Sequence, residues 1–386
     1  MSEWKKVKLG DVCERVTSGG TPKANITSYY NPPTVPWLKT KEVNYCRITE
    51  TENYISEEGL ANSSAKLIAP NSVIIAMYGQ GDTAGRVAIN KIPLTTNQAC
   101  CNLTIDESKA DYEFIYYQLC TLYKKMVSLK AGAAQPNLNA QIIKNLEIKL
   151  PSLLIQHRIA NILSRYDSLI ENYQKQIKLL EEAAQRLYKE WFVDLRFPGH
   201  ENTKIVDGLP EGWEVKSIID VYNFKYGKIL PTKDFVKDGA IPVYGASKQI
   251  GRYSKANCFE PKVLIGSRGN AGFVHRTIED ETYVTNNSFI VEPKKEFKYL
   301  RLPYIYESLK VMDFVAICTG AAPPQLTLNS IASLKYIIPS DRIITDYCDV
   351  SVLFFKKIAM SYKQLRLLTE ARDRLLPKLM SGEITV

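Results

Sequence analysis

The sequence lacks the features that would place the protein in a membrane, in a secretory pathway or around a metal ion. No uninterrupted apolar run of about 18 residues occurs, so no membrane span is expected. The polar start MSEWKKVKLG has no apolar core of a secretory signal. The eight cysteines form no C-x-x-C pair and no zinc spacing. They predict free thiols in a reducing compartment, hence a cytoplasmic protein with no bound metal.

The motifs of nucleotide chemistry and of nucleophilic catalysis are missing as well. Neither G-x-G-x-x-G nor G-x-x-x-x-G-K-[ST] occurs, so nucleotide hydrolysis is not expected. Only three histidines are present, and a structural or surface role is expected for each: His157, His200 and His275. The sequence therefore predicts a chain with no catalytic residues and no cofactor.

One motif does suggest an enzyme. Asn31-Pro32-Pro33-Thr34 resembles the Asn-Pro-Pro-aromatic signature of methyltransferases that act on adenine. The fourth residue of that signature stacks on the flipped base, which threonine cannot do. A proline turn is the preferred interpretation. A methyltransferase would have to bind its methionine-derived cofactor alone, and calorimetry tests that alternative.

The sequence contains an internal duplication. Over 56 positions and without a gap, the sequence recurs at an offset of 188. The matched pairs are Gly132-Ala133-Ala134 with Gly320-Ala321-Ala322, Pro136 with Pro324, Leu138 with Leu326, Leu146 with Leu334, and Pro151 with Pro339. At the front of each copy the offset is 209, as in Trp4 and Trp213, Asp11-Val12 and Asp220-Val221. The first copy therefore carries 209 − 188 = 21 extra residues in its globular part. Offsets of 206 at Val35-Pro36 and 191 at Pro70 place 15 of these between Pro36 and Pro70.

Each copy combines strand and helix patterns. Short apolar runs at 72–78 and 262–266 predict buried strands, and glycine-punctuated loops follow them at 79–89 and 266–276. Both copies then reach a Thr-Asn pair, Thr96-Asn97 and Thr285-Asn286, and a helix-like segment, roughly 112–129 and 299–311. The fold class expected is α+β, with two globular domains.

After each globular part the apolar period becomes 3.5, which is typical of coiled-coil helices. Each helix is expected to span some 37 residues, or roughly 55 Å. The stripe predicted for helix pairing and partner docking comprises Ile159, Ile162, Tyr166, Leu169, Tyr173, Ile177, Leu180 and Leu187 in the first copy, and Val350, Phe354, Leu365, Leu368 and Leu375 in the second.

One such helix alone would expose its stripe to water, whereas two can cover each other. An antiparallel pair with pseudo-two-fold symmetry is expected, with the globular domains at opposite ends. The boundaries predicted are domain 1 at 1–150, helix 1 at 151–197, a linker at 198–211, domain 2 at 212–339 and helix 2 at 340–386.

The net charge of +9 is modest, and its distribution favours the globular parts as a nucleic-acid interface. The two helical segments account for +1 and +2, which leaves +6 in the globular parts. Arginine pairs with guanine in the major groove, and Asn or Gln with adenine, while lysines meet phosphates. The candidate DNA-binding residues are Lys39, Lys41, Gln80, Arg86, Asn97 and Gln98 in copy 1, and Tyr244, Lys248, Arg252, Arg268, Asn270, Asn286 and Asn287 in copy 2. The alternative is that these loops are turns with solvated polar residues.

The constellation as a whole resembles the specificity (S) subunits of type I restriction-modification enzymes. The resemblance rests on the opening W-x-x-x-x-L-x-D-V and its repeat GWEVKSIIDV, on G-A-x-x-P-x-L before each long helix, on Gln156-x-x-Ile159, and on the terminal LMSGEI. Two departures stand out: Asp341-Arg342 replaces the glutamine at the start of helix 2, and Arg372 interrupts its stripe.

The resemblance implies two target recognition domains that each read half of an asymmetric, bipartite site on double-stranded DNA. It also implies that the paired helices hold the domains apart and dock two modification (M) methyltransferase subunits, while restriction (R) subunits add ATP-dependent cleavage. The S chain itself would be non-catalytic. The rival interpretation is a homodimeric coiled-coil adaptor whose globular domains bind protein or glycan, and selection from randomised duplexes separates the two.

Overall fold

The computed structural model describes residues 4–130, 137–320 and 324–386. The chain divides into two compact units: unit 1 comprises Met1–Ile170 with Leu367–Val386, and unit 2 comprises Glu171–Arg366. Residues 132–136 and Ala321-Ala322 of the repeated Gly-Ala-x-x-Pro motif lie outside the described residues.

The globular part of unit 1 mixes strands with short helices. Its strands are β1 Lys5–Lys8, β2 Cys13–Ser18, β3 Val35–Leu38, β4 Cys46–Ile48, β5 Tyr54–Ile55, β6 Val73–Ala76, β7 Val87–Asn90, β8 Thr95–Thr96, β9 Cys100–Ile105 and β10 Glu147–Leu150. Its short helices are α1 Glu57–Ala61, α2 Tyr112–Thr121, α3 Tyr123–Ser128 and α4 Ala140–Lys144. The helix predicted over 112–129 is thus two helices, α2 and α3.

Three sheets form in unit 1. A five-stranded sheet has the order β2-β9-β6-β7-β4, a three-stranded sheet has the order β5-β3-β8, and β1 pairs with β10. Within the three-stranded sheet, β3 and β8 are parallel, with Trp37 beside Thr95. Both ends of the globular part therefore meet in the β1–β10 pair, immediately before the first long helix, α5 Leu153–Tyr188.

Unit 2 repeats this architecture with one strand fewer in its largest sheet and with an additional two-stranded pair. Its strands are β11 Ile205–Val206, β12 Leu209–Pro210, β13 Glu214–Ser217, β14 Tyr222–Tyr226, β15 Ile241–Tyr244, β16 Gln249–Tyr253, β17 Val263–Gly266, β18 Val274–Arg276, β19 Tyr283–Val284, β20 Ser288–Pro293 and β21 Lys335–Ile338. Its short helices are α6 Ile218–Val221, α7 Leu302–Lys310 and α8 Leu328–Ala332, and the second long helix is α9 Asp341–Ser381. The sheets have the orders β14-β20-β17-β18, β16-β15-β19 and β13-β21. The α+β class predicted from the sequence is confirmed.

The central strands are buried on both faces because each face covers a different core. On β6, Val73 and Ile75 join the cluster that packs against the helices of unit 1, whereas Ile74 and Ala76 join a second cluster behind the sheet. Alternate residues of a strand point to opposite faces, so a continuous apolar run suits this position. On β17, Val263 and Ile265 face one core and Leu264 faces another.

The offsets found in the sequence recur in the backbone hydrogen bonds. The N–H of Leu9 donates to Leu146 at 2.9 Å, and the N–H of Ile218 donates to Leu334 at 3.0 Å, which reproduces offsets 209 and 188. The Asn97–Leu38 bond in unit 1 corresponds to the Thr285–Tyr244 bond in unit 2, at offsets 188 and 206. The repeated text therefore encodes the same local fold twice.

The 15 residues predicted as extra between Pro36 and Pro70 fall where unit 1 contains β4, β5 and α1. The matching stretch of unit 2, between Pro242 and Pro261, contains only β16. The extra strand β4 lies at the edge of the five-stranded sheet and is absent from the four-stranded one. The insertion thus extends a sheet edge and leaves the central strands unchanged.

The two long helices have 36 and 41 residues, close to the length expected. A π-helical turn at Lys189–Val193 follows α5, and α9 continues through Pro377 to Ser381. Within unit 1, Ile159 and Leu163 near the start of α5 share a core with Leu379 and Met380 at the end of α9.

Unit 2 contains the complementary helix ends. Tyr188 and Trp191, at the end of α5 and in the turn after it, share a core with Ile344 and Tyr347 near the start of α9. Each unit therefore joins the start of one long helix to the end of the other.

In part of each long helix the buried residues lie one position after the residues of the predicted apolar stripe. Leu169 and Val350 are 46% and 45% exposed, so about half of each side chain faces solvent. The buried apolar positions include Ile159, Leu163, Ile170, Ile177 and Ala184 on α5, and Ile344, Cys348, Phe355 and Ile358 on α9. Of the other stripe residues, Ile162, Tyr166, Tyr173, Leu180, Leu187, Phe354, Leu365, Leu368 and Leu375 are half-buried.

Candidate nucleic-acid interface

In unit 1 several loops meet at one end of the sheets, and residues 19–22, 77–86 and 96–99 are called loop cluster 1. The N–H of Gly20 donates to the Thr96 carbonyl at 2.8 Å, and the N–H of Met77 donates to Ala99 at 2.7 Å. A Cβ atom on Gly19 would lie 2.2 Å from the Thr96 carbonyl oxygen, so this approach requires glycine. The cluster is therefore held together by its backbone.

In unit 2 the equivalent loops form loop cluster 2, defined as residues 227–229, 245–248, 266–273 and 284–288. The N–H of Ser267 donates to Asn287 at 2.8 Å, and the N–H of Lys228 donates to Val284 at 3.0 Å. A Cβ atom on Gly227 would lie 2.4 Å from the Thr285 carbonyl oxygen, as Gly19 would against its own threonine. The two clusters share one backbone design.

Arg86 is the most strongly held candidate in loop cluster 1. Its guanidinium donates to the Asn44 side chain at 2.9 Å and forms an ion pair with Asp82. The hydrogen bond between them lowers the pKa of Asp82 and raises the pKa of Arg86, so both remain charged. The Tyr123 hydroxyl donates to the Asp82 carbonyl at 2.8 Å. The arrangement holds an arginine plane in a fixed direction at the surface.

The other candidates of unit 1 differ in how free they are. Gln80 is exposed, and Gln98 is exposed with its side-chain oxygen accepting from the Thr21 hydroxyl. Asn97 is half-buried and accepts from the Cys100 thiol at 3.4 Å.

The two candidate lysines of unit 1 lie outside loop cluster 1. Lys39 donates to Asn53 at 3.0 Å and lies 4.8 Å over the Trp37 ring, while Lys41 pairs with Glu52. Lys39 directly follows Leu38, the last residue of β3. The carbonyl of Leu38 accepts from the N–H of Asn97, so the residue next to Lys39 contacts loop cluster 1.

Loop cluster 2 brings five predicted residues together. Arg268 and Asn270 are exposed on the glycine loop, and the Asn270 amide donates to the Ser247 hydroxyl at 2.6 Å, next to exposed Lys248. Asn287 is exposed and Asn286 is half-buried at the start of β20. The cluster thus presents one arginine, one lysine and three amide side chains.

The structure places two predicted residues away from the surface of cluster 2. Tyr244 is only 6% exposed, and its hydroxyl donates to Glu279 at 2.8 Å. Burial, reinforced by that carboxylate, raises its pKa. The Arg252 guanidinium donates to the backbone carbonyls of Gly239 and Ala240. Both side chains are hydrogen-bonded within the domain, and their contact with DNA stays a prediction.

Sequence reasoning missed three aromatic side chains on unit 2 and the two close-approach glycines. Tyr226 is 48% exposed and Phe259 is 71% exposed, and both line a cavity of about 550 Å³ with Lys228. Phe273, at the end of the glycine loop, is 50% exposed. Gly19 and Gly227 could have been found, because both follow the first strand of a sheet at an offset of 208.

Within residues 4–130, 137–320 and 324–386, no three His, Cys, Asp or Glu side chains lie close enough together to hold a metal ion. In the same part of the chain, no helix has both the length and the apolarity to cross a membrane.

Comparison with known proteins identifies the family. The chain matches the family described as type I restriction modification DNA specificity domain over residues 1–182 and 210–350. It is 28% identical over 418 residues to the type I restriction enzyme MjaIX specificity subunit of Methanocaldococcus jannaschii, covering 100% of this chain and 94% of that protein. It is 22% identical over 480 residues to the HindI specificity subunit of Haemophilus influenzae, covering 100% of both.

A solved structure also has a similar fold. The crystal structure of the type I restriction-modification system S subunit from M. genitalium matches with a TM-score of 0.67 at 21% identity, covering 97% of this chain and 96% of that one. Since the matched segments of the family span most of the sequence, this chain belongs to the type I restriction-modification DNA specificity family.

Proposed function

We propose that this chain reads an asymmetric, bipartite DNA site, with one half-site contacted by each loop cluster, and that it does so as the non-catalytic subunit of a complex. Two M subunits would supply adenine methylation and R subunits ATP-dependent cleavage. The observation that carries the proposal is the repeated backbone of the two clusters, which present different side chains on the same hydrogen-bonded frame. Two readers with different targets require this combination.

The side chains of the clusters suit base edges. We assign guanine contacts to Arg86 and Arg268, because an arginine can donate two parallel hydrogen bonds to that base. The amides of Gln80, Asn97, Gln98, Asn270, Asn286 and Asn287 suit adenine, and Lys39, Lys41 and Lys248 suit phosphates. We assign supporting roles to Tyr244, which is buried, and to half-buried Arg252, because both are hydrogen-bonded within unit 2.

We also propose that α5 and α9 run antiparallel as a spacer between the half-sites. The start of α5 and the end of α9 share the core of unit 1, and the opposite ends share the core of unit 2, which supports this direction. Apolar side chains left exposed on the helices, among them Leu169, Val350 and Met360, would be covered by M subunits.

The first experiment measures the methylome of a strain that expresses this chain with its M subunit. An asymmetric motif with two short defined parts separated by unspecified bases is expected. A continuous motif, or methylation independent of this chain, would contradict the proposal. Arg268→Ala and Arg86→Ala then act as controls for each other, since each should relax one half-site and leave the other unchanged.

The second experiment tests the spacer. One heptad is inserted after Lys175 and another after Lys363, positions that correspond at offset 188 and so preserve the 3.5 period of both helices. Seven residues add about 10 Å at 1.5 Å each, which equals roughly three base pairs of B-form DNA. The unspecified part of the motif should lengthen accordingly.

A matched control inserts seven residues at the exposed Asp207-Gly208 turn between β11 and β12, where both residues have positive φ. This insertion lengthens the chain without lengthening either helix, so the recognised motif should stay the same. If the motif changes with the turn insertion, or fails to change with the heptads, the spacer proposal is wrong.

A further inference from the structure

A polar contact links the two long helices inside unit 1. The Arg372 guanidinium of α9 lies 2.7 Å from Asp167 of α5, and the Tyr117 hydroxyl donates to the other oxygen of Asp167 at 2.6 Å. Asp167 is only 7% exposed, and buried carboxylates of this kind are stable when paired and hydrogen-bonded. The arginine that interrupts the predicted apolar stripe is therefore the charge partner of a buried acid.

The corresponding positions in unit 2 carry no such pair. At an offset of 188, Asp167 corresponds to Phe355 and Arg372 corresponds to Ala184, and both of these residues are buried. A cation does reach this place from β18, because the Arg276 guanidinium lies 4.5 Å from the centre of the Phe355 ring. Burial lowers the pKa of Arg276, and the negative charge of Glu181 on α5 opposes that effect.

The two junctions thus share one sign pattern. The acids, Asp167 and Glu181, are both on the first long helix, and the cations, Arg276 and Arg372, are both in the second half of the chain. Two copies of the chain could also associate through like helices. If α5 of one copy paired antiparallel with α5 of another, Asp167 would lie near Glu181 of the second copy. If α9 paired with α9 in the same way, Arg372 would lie near Arg276 of the second copy. Asp373, which pairs with Arg372, and Arg47, which donates to Ser168, are present in every pairing. Each wrong pairing therefore adds one further charge of the same sign at a buried place without adding its opposite.

One carboxyl in unit 2 acts in the other direction. Glu307 is buried beside Arg276, and Lys310 also acts on it. An arriving Arg372 would make three cations around one carboxyl, so the excess of positive charge in the wrong pairing remains.

We propose that the Asp167–Arg372 contact, together with Arg276 stacked on Phe355 at the corresponding place in unit 2, selects pairing between the two different helices of one chain and disfavours association of two copies through like helices. The inference rests on the antiparallel spacer of the proposed function and adds a selecting role for named side chains. If two copies associated through like helices, the dimer would present identical half-site readers, and the recognised site would lose its asymmetry.

The test exchanges the charges of one contact in the full chain, as Asp167→Arg with Arg372→Asp. Within one chain the attraction is kept, because cation and acid have only changed places. Between two copies both like pairings become attractive, since residue 167 would now be a cation near Glu181 and residue 372 an acid near Arg276. The variant should fold with a lowered melting temperature, because Tyr117 no longer donates to a carboxylate at 167 and the new acid at 372 lies beside Asp373. It should dimerise at least about tenfold more tightly in light-scattering mass measurements.

Two controls keep the test decisive. Glu190→Arg with Arg374→Asp exchanges the same formal charges at exposed positions and should leave the mass unchanged. Adding Glu181→Gln to the exchanged variant removes one of the new attractions and should lower its dimer fraction. If the exchanged variant does not fold, Asp167→Asn with Arg372→Gln replaces it, and it should dimerise more than the unchanged protein.

The proposal is overturned if the folded exchanged variant has the same mass distribution as the exposed-charge control at every concentration. It is also overturned if removing Glu181 leaves the dimer fraction unchanged. The motif methylated by the complex is read separately. If the complex of the unchanged chain methylates a continuous motif while the exchanged variant dimerises as expected, the bipartite site is refuted. The role of these charged side chains in helix pairing then still stands.

Discussion

Replacing Glu307 by glutamine should stabilise unit 2 at pH 8 and have little effect near pH 4.5. Glu307 is 2% exposed, and its Oε2 atom has no hydrogen-bond partner among the described residues. Burial raises the pKa of this carboxyl from 4.5 to about 7, although Lys310 and Arg276 act in the opposite direction. At neutral and alkaline pH the folded protein therefore holds a poorly solvated negative charge.

The size of the effect follows from the pKa. A rise from 4.5 to about 7 corresponds to roughly 3 kcal/mol, at about 1.4 kcal/mol for each pH unit. An acid whose pKa is raised by folding binds its proton more tightly in the folded state, so this group lowers stability as pH rises from 4.5 to 7. Glutamine keeps the shape of the protonated acid and cannot ionise. The variant should then gain up to roughly 3 kcal/mol above pH 7.

Urea unfolding of both proteins at pH 5, 6, 7 and 8 measures this gain as a difference, which cancels the titration of all other groups. The exposed Glu296→Gln variant is the matched control and should stay within about 0.5 kcal/mol of the unchanged protein at every pH. A difference that is the same at pH 5 and pH 8, or a Glu307→Gln variant that is less stable at pH 8, would refute the reasoning.

Three further predictions concern unit 1 and the helices. Leu163→Ala removes a fully buried side chain and should cost about 2–5 kcal/mol in urea unfolding, whereas Leu179→Ala, at 52% exposure, should cost under about 0.5 kcal/mol. Tyr117→Phe deprives the buried Asp167 of one hydrogen bond and should cost about 1–3 kcal/mol, and an unchanged midpoint would contradict that contact. Gly19→Ala places a Cβ atom 2.2 Å from a backbone oxygen of loop cluster 1. It should weaken recognition of one half-site in the methylome while the other half-site is still required, and an unaffected motif would contradict the close packing of that cluster.

The duplicated fold could be predicted because its signal lies in the local sequence. Single apolar, proline and glycine positions give the offsets 209, 206 and 188. In the structure, the strand pair β1–β10 of unit 1 and the strand pair β13–β21 of unit 2 occupy matching positions at these offsets. The strands β6 and β17 were recognisable as apolar runs closed by a polar or glycine-containing loop. Length and period were likewise sufficient to predict both long helices.

The phase of the helix stripe could not be predicted, because neighbouring positions are both apolar. Ile162 precedes Leu163, and Leu169 precedes Ile170, so a period of 3.5 fits either choice. Packing within the folded chain buries the second member of each pair, and no local signal distinguishes them. The role of Arg372 was hidden for a related reason, since its partner lies 205 residues away in the sequence.

The position of the insertion is compatible with the proposed use of one frame for two different half-sites. The extra strand β4 ends a sheet, so it adds surface without entering the β9-β6 centre, which corresponds to β20-β17 in unit 2. The insertion also holds the domain on its helix, because Arg47 of β4 donates to Ser168 of α5 at 3.0 Å and pairs with Glu113 at 3.2 Å. Unit 2 lacks β4, and there Arg276 of β18 stacks on Phe355 of α9 instead. Each unit thus ties its globular part to a long helix through an arginine delivered by a different strand. In both units that strand lies at the edge of the largest sheet, β4 in unit 1 and β18 in unit 2, so the edge that differs between the two copies is also the edge that contacts the helix.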